Sequence, residues 1–391
     1  MALPRTATTF LPPVMEARRW LNEATLPEGL ELINVSQAAP VDPPPEPMRR
    51  EIARIAMEEP QAHLYGPVLG LPALREEVAQ QWLTAYGGAI TADHVGITSG
   101  CNEAFCAAIA TLVAEGDEVL LPVPWYFNHK MALDMMGARA VALPTDAGLF
   151  PDVEAAAARI TDRTRAIALV SPNNPSGVEY PPELIGAFFD LCQARGIALI
   201  LDETYRDFHS SQAAPHDLFT RPDWDRTLIQ LYSFSKAYRL TGHRVGAILT
   251  GTARLSEVEK YLDTVTICPA QLGQYAALWG MRNLQDWLAG EREEILSRGA
   301  AIRDGFAPLA DRGWILRGAG AYFAYADHPF DAPSDRIAQR LVAEAGILML
   351  PGTMFTPEGD AAGKRQMRIA FANLDTAGIG RLIDRLAGFQ G

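Results

Sequence analysis

The stretch GIALILDETY, residues 196–205, is the most hydrophobic strand-like run of the chain, and two carboxylates, Asp202 and Glu203, stand at its end. Other short apolar runs share its character and lie between helical segments: VGIT at 95–98, DEVLLPVP at 117–124, ARAVALP at 138–144, RAIALVSP at 165–172 and TLIQLYS at 227–233. Short, continuously apolar runs that alternate with helices are typical of buried parallel strands. The pattern predicts an α/β fold in which a mostly parallel central sheet is flanked by helices.

The character of the sequence changes near residue 285. The segment WILRGAGAYFAYAD, residues 314–327, predicts a half-exposed antiparallel pair of strands instead of a buried parallel one. We therefore predict a large domain over residues 46–284. A smaller α+β domain would be formed by the N-terminal arm, residues 1–45, together with residues 285–391.

The overall charge restricts the kinds of partner. The chain has 391 residues with 34 Lys and Arg against 47 Asp and Glu, which gives a net charge of −13. Nucleic acids and anionic membranes require clustered Lys and Arg, so neither is expected as a partner. An anionic ligand would have to be held by a few locally placed cations.

The sequence predicts a cytoplasmic location. Its four cysteines form no CxxC pair, which is typical of reduced thiols in the cytosol. The first twenty residues lack the features of a signal peptide, and the apolar stretch at 104–114 is too short to cross a bilayer. No metal site is predicted, because the histidines and cysteines never take a metal-ligand spacing.

Polar groups follow three of the apolar runs, at the strand ends where open α/β sheets bind ligands. In ITSGCNEAF, residues 97–105, a glycine turn leads into a helix that we expect to run to Gly116, and such a helix start offers backbone N–H groups to an anion. Asp202 is the second group, with a helix cap as its alternative role. The third is Lys236 in LYSFSKAYRLTGHRVG, residues 231–246, close to two serine hydroxyls and an arginine.

These three features together indicate pyridoxal phosphate. That cofactor needs a lysine for its aldehyde, donors for its phosphate and a carboxylate that keeps its ring nitrogen protonated. Lys236 supplies the amine and can carry a Schiff base, Ser233, Ser235 and Arg244 supply phosphate donors, and Asp202 supplies the carboxylate.

The sequence resembles the class I/II aminotransferases of the aspartate-aminotransferase-like superfamily, fold type I, from about residue 64 to residue 371. The resemblance is carried by several motifs: YGPVLGLPALR at 65–75, SGCNEA at 99–104, PVPWYFNH at 122–129, SPNNPSG at 171–177, LDETY at 201–205, SFSK at 233–236 and MRIAFAN at 367–373. It implies an enzyme that moves an amino group between an L-amino acid and a 2-oxo acid.

The resemblance also implies roles for individual residues. Lys236 would form the Schiff base and act as general base, Asp202 would hold the pyridine nitrogen, and Tyr205 and Asn174 would bind the phenolic oxygen. These assignments make Lys236, Asp202 and Tyr205 the predicted catalytic residues. Arg368 would bind the substrate's α-carboxylate.

The remaining matches surround the cofactor. Tyr126, or alternatively Trp125, would stack on the pyridine ring, and Tyr65 would reach the phosphate of the neighbouring subunit in a homodimer with shared sites. The implied phosphate-binding groups are Ser233, Ser235, Arg244, the backbone N–H groups of Gly100 and Cys101, and the nearby Asn102. Plainer roles remain open: a turn for Asn174, a strand-edge cation for Arg368 and core packing for Tyr126.

Alternatives from other functional classes also remain. A cysteine-S-conjugate β-lyase would use the same scaffold, because abstraction of the α-proton is common to transamination and β-elimination. A cofactor-binding regulatory protein is disfavoured, since the N-terminus carries no basic helical extension.

The stretch Gln37-Ala38-Ala39 replaces a glycine that the family pattern would place near the substrate carboxylate. The identity of the substrate pair is therefore left open by the sequence.

Overall fold

The computed structural model describes residues 4–391. Its helices, apart from short 3-10 turns, are α1 (Pro13–Glu23), α2 (Glu46–Glu58), α3 (Pro72–Tyr86), α4 (Cys101–Ala110), α5 (Phe127–Met136), α6 (Val153–Ala157), α7 (Pro182–Arg195), α8 (Trp224–Thr227), α9 (Phe234–Ala237), α10 (Thr252–Val265), α11 (Gln271–Asn283), α12 (Gln285–Ala310), α13 (Ser334–Ala345) and α14 (Thr376–Gly388). None of the helices in these residues combines the length and the apolar character needed to cross a membrane.

The strands form three sheets. They are β1 (Ile33–Asn34), β2 (Val95–Thr98), β3 (Glu118–Val123), β4 (Arg139–Pro144), β5 (Thr164–Val170), β6 (Ala198–Asp202), β7 (Leu228–Ser233), β8 (Gly246–Leu249), β9 (Ile315–Gly320), β10 (Phe323–Asp327), β11 (Ile347–Leu348), β12 (Leu350–Pro351) and β13 (Gln366–Ile369).

The large central sheet has seven strands in the order β2-β8-β7-β6-β5-β3-β4. Strands β3 to β7 pair in parallel, whereas β8 is antiparallel to both of its neighbours, β2 and β7. Every residue of β6 is buried, because apolar side chains from helices cover both faces of the sheet. The predicted mostly parallel α/β sheet is confirmed.

The C-terminal part of the chain forms a four-stranded antiparallel sheet in the order β12-β13-β10-β9. Strands β9 and β10 are the antiparallel pair predicted over residues 314–327. Strand β1 of the N-terminal arm pairs in parallel with β11, so the arm contacts the C-terminal region. The domain bounds at residues 45/46 and 284/285 stay a prediction.

The sheet topology explains how distant residues share one site. Strands β2, β6 and β7 run in the same direction, so the segments that follow them leave the same edge of the sheet. The prediction that the helix after β2 runs to Gly116 was wrong, since α4 ends at Ala110. The Asp117 carboxylate accepts a hydrogen bond from the Ala114 backbone N–H at 2.9 Å and stabilises a turn there instead.

Candidate active site

A cavity of about 450 Å³ opens at the carboxyl edge of the central sheet. Its volume is in the usual range for a small-molecule site. Most of the predicted site residues line it: Cys101, Asn102, Tyr126, Asn174, Asp202, Tyr205, Ser233, Ser235, Lys236, Arg244 and Arg368. Residues separated by more than 260 positions in the sequence thus meet in one place.

Lys236 lies in the one-turn helix α9, directly after β7. Its Nζ donates a 2.6 Å hydrogen bond to the carbonyl oxygen of Ala38 in the N-terminal arm. Burial, together with the positive charges of Arg244 and Arg368, lowers the pKa of Lys236 to about 8. A larger neutral fraction near physiological pH makes this amine a better nucleophile toward an aldehyde.

Asp202 is the last residue of β6, and only 3% of it is exposed. Burial by itself raises the pKa of this carboxyl, but His129 at 3.2 Å and the Thr204 backbone N–H at 2.9 Å outweigh burial, so the pKa is lowered. The carboxylate therefore remains ionised inside the protein. An ionised carboxylate in a buried site can hold a protonated ring nitrogen.

His129 was missed in the sequence analysis. It projects from α5, and its ring stacks on Phe105 with the centroids 3.8 Å apart. His129 lies three residues after Tyr126, and residues three apart on a helix face the same side. The spacing of Tyr126 and His129 within PVPWYFNH could therefore have indicated that His129 lies at the site.

Arg244 and the start of α4 form a concave group of donors. Gly100 has φ +94°, and a Cβ at this position would collide with the Arg244 guanidinium, so only glycine allows this approach. The guanidinium also donates to Ser235 Oγ at 3.4 Å. Ser233 and Ser235 are both buried and line the cavity. Free N–H groups at a helix start, hydroxyls and a guanidinium together suit a phosphate.

Arg368 lies in β13 and is 2% exposed. Its Nη1 donates to Asn174 Oδ1 at 3.0 Å, its Nη2 donates to the Ser36 carbonyl oxygen, and its Nε has no partner among the described residues. Burial lowers the pKa of Arg368 to about 10. A buried guanidinium in the wall of a cavity is suited to a carboxylate ligand.

Tyrosine rings form the aromatic walls. Tyr126 lines the cavity, and Asn128 Nδ2 donates to its hydroxyl at 2.8 Å. Trp125 belongs to a buried apolar cluster and does not line this cavity, so the geometry favours Tyr126 of the two. Tyr205 is buried against Tyr322 and Phe323, and its ring centroid lies 5.8 Å from Lys236 Nζ.

Two predicted residues do not line the cavity. Gly100 lies just beneath it, under the Arg244 guanidinium. Tyr65 is 79% exposed and lies outside the site of its own chain. The cavity also includes residues that the sequence analysis did not connect with the site, notably Thr204 and Arg18, whereas Gln37, Ala38 and Ala39 lie in its wall as expected.

Comparison with known proteins decides the family. The model of the family described as aminotransferase class I and II matches residues 31–386. The chain belongs to the class I and II aminotransferases. It is 30% identical over 348 residues to the valine–pyruvate aminotransferase of Mycobacterium tuberculosis, with 88% of this chain and 87% of that protein covered.

Further aminotransferases show the same likeness. The aspartate/prephenate aminotransferase of Thermus thermophilus is 28% identical, with 85% of this chain and 86% of that protein covered. The crystal structure of an aminotransferase from Mycobacterium tuberculosis superposes with a TM-score of 0.87 and 26% identity, with 99% and 98% of the two chains covered. The predicted fold type, family and aminotransferase activity are confirmed, and these names do not favour the β-lyase alternative.

Aminotransferases of this family use pyridoxal 5'-phosphate, so the predicted cofactor is confirmed. The site fits it: the cavity contains a partly buried amine, an ionised carboxylate and a separate group of phosphate donors. In residues 4–391, no group of three or more His, Cys, Asp and Glu side chains is arranged to hold a metal ion.

Proposed function

We propose that this aminotransferase moves an amino group between an L-amino acid and a 2-oxo acid, with Lys236 as the residue that holds the cofactor and moves the α-proton. The observation that carries the proposal is the placement of Lys236, Asp202 and Arg368 around one cavity. When bound, pyridoxal phosphate supplies an aldehyde for the substrate amine and a protonated ring that accepts electrons from the α-carbon.

The chain's own residues divide the remaining tasks. Arg368 binds the substrate α-carboxylate and thereby fixes the orientation of the α-carbon. Asp202 holds the proton on the ring nitrogen, and His129 keeps Asp202 ionised. Lys236 Nζ takes the α-proton when its amine is free, and its lowered pKa leaves a larger fraction of that amine neutral.

Asn174 connects the substrate and the cofactor. Its Oδ1 accepts from Arg368, which directs its Nδ2 group to donate elsewhere. We assign that donor, with the Tyr205 hydroxyl, to the phenolic oxygen of the cofactor. Tyr126 forms the stacking wall, and the phosphate is bound by Ser233, Ser235, Arg244, Asn102 and the backbone N–H groups of Gly100 and Cys101.

A panel of amino donors tests the function. Each donor is mixed with the purified holoenzyme, and the conversion of the aldehyde form of the cofactor to its amine form is followed by absorbance. We expect conversion with one or more amino acids, whereas the matching amine without the α-carboxylate should be inactive because Arg368 has no ligand. Release of ammonia and pyruvate in the absence of an amino acceptor would support the β-lyase instead.

We further propose a homodimer in which Tyr65 acts on the partner's cofactor. Tyr65 is 79% exposed, and the adjacent Leu64 is 57% exposed. Exposed apolar side chains close together on a surface favour an interface. The cytoplasmic location predicted from the sequence stays a prediction.

Mixing two defective variants tests the shared site. If Tyr65 acts in trans, a heterodimer of Lys236→Ala and Tyr65→Phe subunits contains one intact site, and random exchange should restore up to about a quarter of the wild-type activity. If Tyr65 acts within its own subunit, each site has one defect and mixing restores nothing. A mixture of Lys236→Ala with Asp202→Asn is the control, because both residues belong to one subunit's site and no recovery is expected.

A further inference from the structure

The charges that line the cavity are unequal. Four cations, Arg18, Lys236, Arg244 and Arg368, face a single lining carboxylate, Asp202. In the proposed function Lys236 holds the cofactor, Arg244 binds its phosphate, and Arg368 binds the substrate α-carboxylate. Arg18 is then the one lining cation without a ligand.

Arg18 differs from its neighbours on α1 in its contacts. Within residues 4–391 no carboxylate lies within 4.0 Å of its guanidinium, and its Nη2 donates to Gln37 Oε1 at 3.0 Å. The adjacent Arg19 is paired with Glu16 and does not line the cavity. Around Arg18 the α1 end of the cavity wall is apolar, formed by Pro12, Val14 and Met15. Arg18 itself is exposed, so its guanidinium is accessible to an anionic ligand that enters the cavity.

Arg18 and Arg368 are connected through one short segment. Arg368 donates to the carbonyl oxygen of Ser36, and Arg18 donates to the side chain of the next residue, Gln37. Asn373 fixes this segment, because its Nδ2 donates to the Gln37 carbonyl oxygen at 2.6 Å. Both arginines line the same cavity, and their contacts fall on adjacent residues of this fixed segment.

We propose that Arg18 receives a second carboxylate at the side-chain end of the substrate, so that the preferred substrates are amino dicarboxylates and the matching 2-oxo dicarboxylates. The Gln37 amide orients the guanidinium for this contact. This inference rests on the proposed function, in particular on Arg368 as the partner of the α-carboxylate. A guanidinium binds a carboxylate through two parallel hydrogen bonds, which a neutral side chain cannot reproduce.

Binding of an unreactive dicarboxylate tests the inference without turnover. Succinate and butyrate have four carbons each and differ by one carboxylate, and their affinities for the holoenzyme are measured by calorimetry. We expect Arg18→Gln to lower the affinity for succinate about 10- to 100-fold, because one charge-assisted contact is lost. The affinity for butyrate should stay unchanged. Arg19→Gln, on the same helix but outside the cavity, should change neither affinity.

Donor selectivity provides the second measurement. The ratio of kcat/KM for aspartate over asparagine, and for glutamate over glutamine, should fall about 10- to 100-fold in Arg18→Gln, while alanine should react as in the wild type. An unchanged succinate affinity and unchanged ratios, or a wild type that prefers the neutral donors, would overturn the role of Arg18. If no donor, alanine included, converts the wild-type cofactor to its amine form, the proposed function itself fails.

Discussion

Lys236→Ala is expected to abolish amino-group transfer, with a loss of at least about 10⁴-fold in kcat. The variant loses both the covalent attachment of the cofactor and the amine that moves the α-proton. Cofactor binding should remain measurable, because Arg244, Ser233 and Ser235 still bind the phosphate. Single-turnover absorbance with a reactive donor measures the loss, and equilibrium dialysis measures the retained binding.

Lys260→Ala is the matched control for this prediction. Lys260 is an exposed lysine on α10 whose Nζ lies 2.7 Å from Glu257 Oε1, so its replacement should leave the activity unchanged. A Lys236→Ala enzyme that exchanges the α-proton of its donor at more than a few per cent of the wild-type rate would contradict the role of Lys236.

Asp202→Asn is expected to lower turnover about 10²- to 10³-fold while the cofactor stays bound. An amide has the same shape as the carboxylate but cannot hold the ring nitrogen charged, so electrons from the α-carbon are accepted less readily. The measurement is kcat with a saturating donor, together with the absorbance spectrum of the bound cofactor.

Glu203→Gln is the corresponding control at the next residue. The Glu203 carboxylate faces Tyr86, His216 and Gln230 inside the core and does not line the cavity. We expect the folded fraction of this variant to turn over within a few-fold of the wild type. A turnover of Asp202→Asn within twofold of the wild type would mean that Asp202 serves only the local turn through the Thr204 backbone N–H.

The sequence predicted the part of the site that depends on strand ends. Asp202 is the last residue of one apolar strand, and Lys236 lies in the one-turn helix after the next. The parallel direction of those strands brings their ends to one edge. Short buried strands can be predicted from sequence because their apolar runs are continuous. Strand β6, which is buried at every residue, is an example. Arg368 was reached only through the resemblance, since β13 belongs to a separate antiparallel sheet.

Contacts made by helices could not be read from local patterns. His129 projects from α5, which packs against α4 and β4, and it lies 3.2 Å from Asp202. Arg18 lies on α1, which packs against α13 and β12. The angle at which a helix or an arm crosses a sheet depends on tertiary packing, which periodicity does not encode. Helix α4 likewise ends earlier than predicted, at Ala110, because the Asp117 carboxylate accepts a hydrogen bond from the Ala114 backbone N–H and stabilises a turn.

Borohydride reduction of the holoenzyme, followed by peptide mass mapping, identifies the lysine that holds the cofactor. The chain has only four lysines, Lys130, Lys236, Lys260 and Lys364, so the site of attachment is unambiguous. Lys130 and Lys260 are paired with Asp134 and Glu257, and Lys364 is exposed. We expect a pyridoxyl group on the peptide that contains Lys236. A pyridoxyl group on another lysine, or on none, would contradict this expectation.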